Sequence, residues 1–330
     1  RALLEFVAEQ SPATTIQGRV FQQARDYLRT ARDDYLFHEY LVDENHPSYF
    51  HAFVGQAEAE GLQFVTDAEL WRMSGVFMPA AVQPVLANTP LVQRCQLLDF
   101  LRNETFHKTV LCHDQVPLQR NWDLDALKPF CVALAQKPKA VAIDVADGQP
   151  VGIEFPFGTL TVSHPLGKAA LKHLIDHFPG AVSLDQLHAA AMAALPRHLA
   201  EQAETAGGSR SLLAKSMLGA LQAGLLKIYL HPPEFCDHVS RRPRATPLAR
   251  CLAARGSLLV NQVHENVKLD PWQTFLVPQL DGARDVSELI DAAQQAVAGG
   301  RLPPPAGNLP LSKAIETALS KLCEAILLVG

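Results

Sequence analysis

Apolar residues along this chain recur mostly at helical spacing, interrupted by short runs that read as strands. The sharpest stretch is PSYFHAFVGQAEAEGLQFV, residues 47–65. Phe50, Phe53, Val54 and Ala57 fall at i, i+3, i+4 and i+7, one face of a helix. Pro47 suits its first position, Gly61 suits a left-handed stop, and Leu62 to Val65 reads as a buried strand. Thr66 and Glu69 stand at capping-box spacing and predict a second helix. Upstream, Arg1 to Glu9 is a short amphipathic helix. Gly18 to about Tyr40 is one longer helix, with Val20, Phe21, Ala24, Tyr27, Leu28, Ala31 and Tyr35 on a shared face. Downstream, residues 75–90 read as a loop with a helical turn, Leu91, Cys95, Leu98 and Leu101 mark a helix, and Thr105 to Cys112 is a strand. The order strand, helix, strand leads us to expect that the two strands pair with each other.

The texture changes near Asn121. Asp123 to Ala135 reads as a helix, and Asp147-Gly148 and Phe157-Gly158 predict two hairpins between residues 140 and 162. Helices are expected from Pro165, from Ser183 (with Gln186 in capping-box spacing) and from Ser209, before a strand at Lys227 to Leu230. Three helices and then a strand is the order of a winged-helix module. The last third repeats the order loosely: a hairpin at 257–269, a helix at 272–280, a helix capped by Asp285 and Glu288, and a terminal helix from Leu311 to Leu328. The expected class is α+β and predominantly helical. An N-terminal α/β module with few strands (1–118) precedes two winged-helix-like modules (119–235 and 236–330), the second ending in a helix.

Composition narrows the classes. Of the 330 residues, 48% are hydrophobic and 19% charged, as in a core-forming protein. A formal net charge of −5 argues against a general nucleic-acid binder. Six scattered cysteines without a C-x-x-C pair, no signal-peptide layout and no apolar run of membrane-spanning length lead to the expectation of a reduced cytoplasmic protein. The chain opens without Met, from which we expect a fragment or a processed N-terminus.

Candidate chemistry is sparse. His38, Glu39, His46 and His51 lie close in sequence but lack H-E-x-x-H spacing, and read as helix-end or packing histidines. Cys112-His113 is adjacent on a strand, where neighbouring side chains face opposite sides. Arg102, His107 and Lys108 form a polar patch between helix and strand and are candidate partner contacts. So are Arg241, Arg242 and Arg244 in SRRPRATPLAR, a run able to clamp phosphate or an acidic surface. The helix SRSLLAKSMLGALQAGLL, the best recognition-helix candidate, offers only Arg210 and Lys215 and is too apolar to read base edges. No P-loop, G-x-G-x-x-G or G-x-S-x-G occurs, and no residue is assigned to catalysis, to a cofactor or to a metal.

HEYLVDENHPSYFHAFVGQAEAEGLQFV and LLDFLRNETFHKTVLCH resemble the methyltransferase regulatory domain of bacterial S-adenosylmethionine-dependent methyltransferases, a family that includes protein-lysine methyltransferases. SHPLGKAALKHL, YLHPPEF, RPRATPLARCLAARG and LVPQLDGARDVSELI resemble that family's C-terminal winged-helix part. The resemblance implies S-adenosylmethionine as the full-length family's cofactor, bound by a catalytic half whose glycine-rich acidic loop has no counterpart here. The expected role is therefore non-catalytic regulation, substrate recognition or oligomerisation. The implied partners are the catalytic half, in cis or in trans, a protein substrate, and a second copy in a homodimer. No membrane span and no specific DNA are expected. The rival readings are a stand-alone winged-helix protein that binds a protein or nucleic acid, and an intact enzyme of unread site.

Overall fold

The computed structural model describes residues 1–121, 124–138, 142–155, 158–205, 208–233, 235–256 and 258–329. Two compact units divide the chain, residues 1–60 and 61–330.

The first unit is helical: α1 Ala2–Gln10, α2 Ile16–Thr30, α3 Asp33–Tyr40 and α4 Phe50–Ala59. Thr15 caps α2 by accepting from the Gly18 N–H, and Arg29 pairs with Glu5 at 3.0 Å to hold α2 against α1. The single helix expected over 18–40 is two. Ala31 and Arg32 are extended, and the acidic pair Asp33 and Asp34 restarts the helix where its N-terminal dipole favours negative charge. Nor is there one shared apolar face. Ile16, Val20 and Tyr27 lie exposed on the side of α2 opposite its buried Gly18. Tyr27, Tyr35 and Tyr40 continue outward as edge-to-face rings 6.3 and 6.5 Å apart. Pro47 stands before the helix rather than in its first turn, because Tyr49 takes the N-cap.

The second unit opens at Gly61, whose φ of +73° is the left-handed turn that releases the chain into β1 Leu62–Asp67. The strand runs through Thr66, so no helix is capped there, and only a 3-10 turn, Leu70–Met73, follows. After α5 Gln83–Ala87 and α6 Leu91–Arg102 comes β2 Thr109–His113. It pairs antiparallel with β1, Leu62 opposite His113 and Asp67 opposite Thr109, as the strand–helix–strand order led us to expect. The register shifts between Phe64 and Thr66, and Arg120 donates to the Phe64 and Val65 carbonyls at this bulge.

A 3-10 turn at Leu124–Leu127 leads to β3 Cys131–Leu134, where a helix was expected; Asp123 lies outside the described residues. All four β3 residues are buried, and the strand is central in its sheet, flanked by β6 Val182–Ser183 and β7 Leu226–Tyr229. A strand covered on both faces loses its period-two signature. Among the described residues one hairpin forms, β4 Val151–Phe155 with β5 Gly158–Val162, rather than two; Phe157 lies outside the described residues. The Asp147-Gly148 segment is instead a loop, tied down by the buried Lys168, whose Nζ donates to the Asp147 and Gln149 carbonyls at 2.6 and 2.5 Å. Helices α7 Pro165–Asp176, α8 Leu184–Ala194, α9 Arg197–Thr205 and α10 Ser209–Gln222 complete the region. Leu166, Leu174, Leu187 and Leu213 share one core with β3 and β7. Ser183 and Gln186 form the capping box read from sequence.

The remainder comprises β8 Arg244–Ala245, α11 Pro247–Ala254, β9 Leu259–Val260, β10 Asn266–Val267, α12 Pro271–Leu276, α13 Val286–Ala298, α14 Leu311–Glu324 and β11 Leu328–Val329. Strands β9 and β10 form the expected hairpin, β11 returns to pair with β8, and a second core gathers Leu276, Leu289, Ile315 and Leu322. The class is α+β and predominantly helical, with five small sheets among the described residues. No described helix is long and apolar enough to cross a membrane.

Candidate functional site

A dense polar cluster lies where β1, the 3-10 turn Leu70–Met73, the end of α6 and the start of β2 meet. Its centre is Asp67, 1% exposed at the end of β1. One carboxylate oxygen accepts from the Glu69 N–H at 2.8 Å; the other accepts from the Lys108 N–H at 3.2 Å and faces His107 Nδ1 at 3.1 Å. The second ring nitrogen of His107, Nε2, lies 3.0 Å from the Asp99 carboxylate on α6. Protonated, the ring donates to both carboxylates; neutral, it donates to only one. The two nitrogens point to opposite sides of the ring, so a single metal ion has no common approach to them. Among the described residues no group of three or more His, Cys, Asp or Glu is set to hold a metal ion.

A second layer surrounds this centre. Asn103 takes a left-handed conformation at the end of α6, with φ of 53°. Arg102, just before it, turns its guanidinium back to donate to the carbonyls of Trp71 at 3.2 Å, Arg72 at 2.9 Å and Ser74. Burial pulls that guanidinium below its ordinary value. Arg72 pairs with Glu69 at 2.6 Å and with Glu104. Burial acts to lower Arg72, but these bonds outweigh it and the group sits higher than usual. Glu69 shows the converse: burial acts to raise its carboxyl, and bonds from Lys108 and Arg72 overcome that and leave it below the ordinary value. Each charge is thus spoken for. The arrangement fixes two strands, a turn and a helix end to one another, and this locking is the chemistry it performs.

Arg102, His107 and Lys108, the sequence candidates, are therefore brought to one corner, as internal ties. Their partners Asp67, Glu69, Arg72, Asp99 and Glu104 went unread. Asp99 carried a signal, since it follows the buried Leu98 and stands four residues after the buried Cys95, a charge on a core-facing stripe. The arginine run lies elsewhere. Arg241 and Arg242 are exposed, with the Arg241 carbonyl accepting from the Val286 N–H at 3.3 Å. Arg244 belongs to β8, its backbone bridged to Val329 and Asp281. His38 packs edge-on to Phe37, His51 stacks on Tyr49, and Cys112 sits within β2 opposite Gln63.

The polar corner falls inside a recognised domain. Residues 32–113 match the family model described as a predicted methyltransferase regulatory domain, and residues 241–329 match that of the PKMT C-terminal winged helix domain. The chain carries both domains. The corner closes the regulatory segment, and the arginine run opens the winged-helix segment. An uncharacterised protein of Rickettsia prowazekii (strain Madrid E), RP789, is 25% identical over 313 residues, covering 92% of this chain and 55% of that protein. The chain thus spans about half the length of this curated relative. A second from the same organism, RP027, is 19% identical over 207 residues, covering 58% of this chain and 79% of that protein. The solved structure of PKMT2 from Rickettsia typhi in complex with AdoHcy shares the fold with a TM-score of 0.79 at 22% identity, over 100% of this chain and 67% of that one.

Proposed function

We propose that this chain is the regulatory and substrate-presenting region of an S-adenosylmethionine-dependent protein-lysine methyltransferase, divided into modules at 1–118, 119–235 and 236–330. Its transfer chemistry lies in a separate catalytic domain. The observation that carries the reading is the β1–β2 ribbon. Within the regulatory segment these two antiparallel strands form a sheet of their own among the described residues, and each strand of a two-stranded sheet keeps an outer edge that a further strand can extend. The reading makes the ribbon the margin of a larger sheet whose other strands belong to the catalytic domain. The exposed stripe Ile16, Val20 and Tyr27 supports a partnered region, since large apolar patches on a free surface are unusual. The relatives' greater length supports it as well.

Among the described residues, the ends of β1 and β2 do not fit the cofactor. A nucleoside cofactor takes a glycine-rich turn after a parallel strand, where backbone approaches the ligand closely. Strands β1 and β2 are antiparallel and lead into Ala68-Glu69 and Asp114-Gln115, while the nearby charges are mutually engaged. S-adenosylmethionine is accordingly assigned to the catalytic domain, and protein substrate, a cytoplasmic setting and a second copy belong to the same proposal. Calorimetric titration tests it. The chain alone should give no binding heat with S-adenosylmethionine or S-adenosylhomocysteine, and a one-to-one micromolar affinity overturns the assignment.

A further inference from the structure

The C-terminal core contains two cysteines from distant parts of the chain. Cys236 lies on the segment entering the domain, Cys323 in the last turn of α14, 87 positions later, and both are buried. The Cys323 thiol donates to the Cys236 carbonyl at 2.8 Å, and the Cys236 thiol donates to the His238 carbonyl. Burial, and then the charge and hydrogen bond of Cys236 itself, push the Cys323 thiol up to about 12. The Cys323 sulfur thus sits directly against the backbone of Cys236. Neighbouring backbone holds them in register, because Phe235 is bridged to Val329 and β8 is paired with β11. Entry and exit of the domain run side by side, with one thiol on each.

We propose that Cys236 and Cys323 are a latent disulfide that closes the winged-helix domain when the chain meets a small-molecule disulfide of the glutathione type. The Cys236 thiolate attacks one sulfur of that oxidant, forming a mixed disulfide and expelling one small thiolate. The Cys323 sulfur then displaces the second small thiolate, and the two cysteine protons end on the two expelled thiols. The cysteine pair loses two electrons, and the oxidant gains them. Buried thiols meet an oxidant slowly, so the bond forms over hours, through opening of the loop that carries Cys236. Once formed it ties a long loop, the case in which a cross-link restricts the unfolded chain most.

The experiment equilibrates the full chain in buffers spanning reduced to oxidised glutathione, traps free thiols by alkylation in denaturant, and maps peptides without reduction. Cys251, which is exposed, is the internal reference for simple glutathione capture. The expected result is a Cys236–Cys323 linked peptide, absent in Cys236→Ser and Cys323→Ser. A rise in thermal midpoint on the order of 5 °C, reversed by dithiothreitol, should accompany it. The inference is overturned if both cysteines are alkylated, or each separately carries glutathione, at ratios that fully modify Cys251. The wild-type map is decisive even if a serine variant does not fold, and either result leaves the methyltransferase reading untouched.

Discussion

At the residue scale, Asp67 does what its nearest isostere cannot. Its two oxygens separately accept the backbone N–H groups of Glu69 and Lys108. An asparagine keeps one acceptor and turns an NH₂ toward the other donor. Asp67→Asn should therefore cost about 1–3 kcal/mol for the buried donor left unpaired. Urea unfolding with an unchanged slope and a lower midpoint is the check. Glu69 sets a pH dependence in the same corner. Its carboxyl lies below the ordinary value in the folded chain, so its contribution is fully present above the unfolded value of roughly 4.3 and is lost as pH falls through the lower folded one. Stability measured from pH 6 downward should fall less steeply in Glu69→Gln than in the wild type. Equal slopes would mean that the bonds from Lys108 and Arg72 contribute nothing.

At the element scale, two glycines separate backbone strain from crowding. Gly61 and Gly224 both have φ of +73°, but a Cβ on Gly61 meets nothing within 4 Å, whereas one on Gly224 stands 2.9 Å from the Trp71 ring. Gly61→Ala should cost roughly 1–2 kcal/mol for the left-handed backbone alone. Gly224→Ala should cost about 1–3 kcal/mol more from overpacking, a surplus that shrinks in a Trp71→Ala background, where the ring contacts go and only the one to the Trp71 Cβ at 3.0 Å stays. For α10, gel shift with a varied duplex pool at physiological salt should give no sequence-selective retardation. Leu213, Met217, Ala220 and Leu221 are spent on the core, and Arg210 is paired with Asp185. Sequence-selective retardation would revive the nucleic-acid reading. Local grammar was legible where it is self-contained: Ser183 with Gln186, Asp285 with Glu288, and the Gly61 stop all stand as read. It misled where tertiary pairing decides. Thr66 went to the strand because β2 takes up its backbone, and β3 looked helical because side chains on both of its faces are buried, which erases the alternation. The site was half legible for the same reason. Arg102, His107 and Lys108 are close in sequence, but Asp67 lies 40 positions from His107 and meets it only through the ribbon.

At the scale of the whole molecule, separate cores serve the middle and C-terminal regions, and the segment after the ribbon's first strand reaches the middle one. Leu70 and Phe77 pack against that core, and Trp71 meets the Gly224 turn before β7. The Trp71 ring is crowded further by the Arg72 and Arg102 guanidinium carbons, 4.9 and 5.6 Å from its centre. An indole so placed is a built-in optical gauge. With Trp122 and Trp272 replaced by phenylalanine, the indole emission of the chain, excited beyond the tyrosine band, would come from this ring alone. Its wavelength and quenching would register any loosening of the seam between regulatory segment and middle region, without a label and in real time, as a catalytic domain, a protein substrate or a second copy is added.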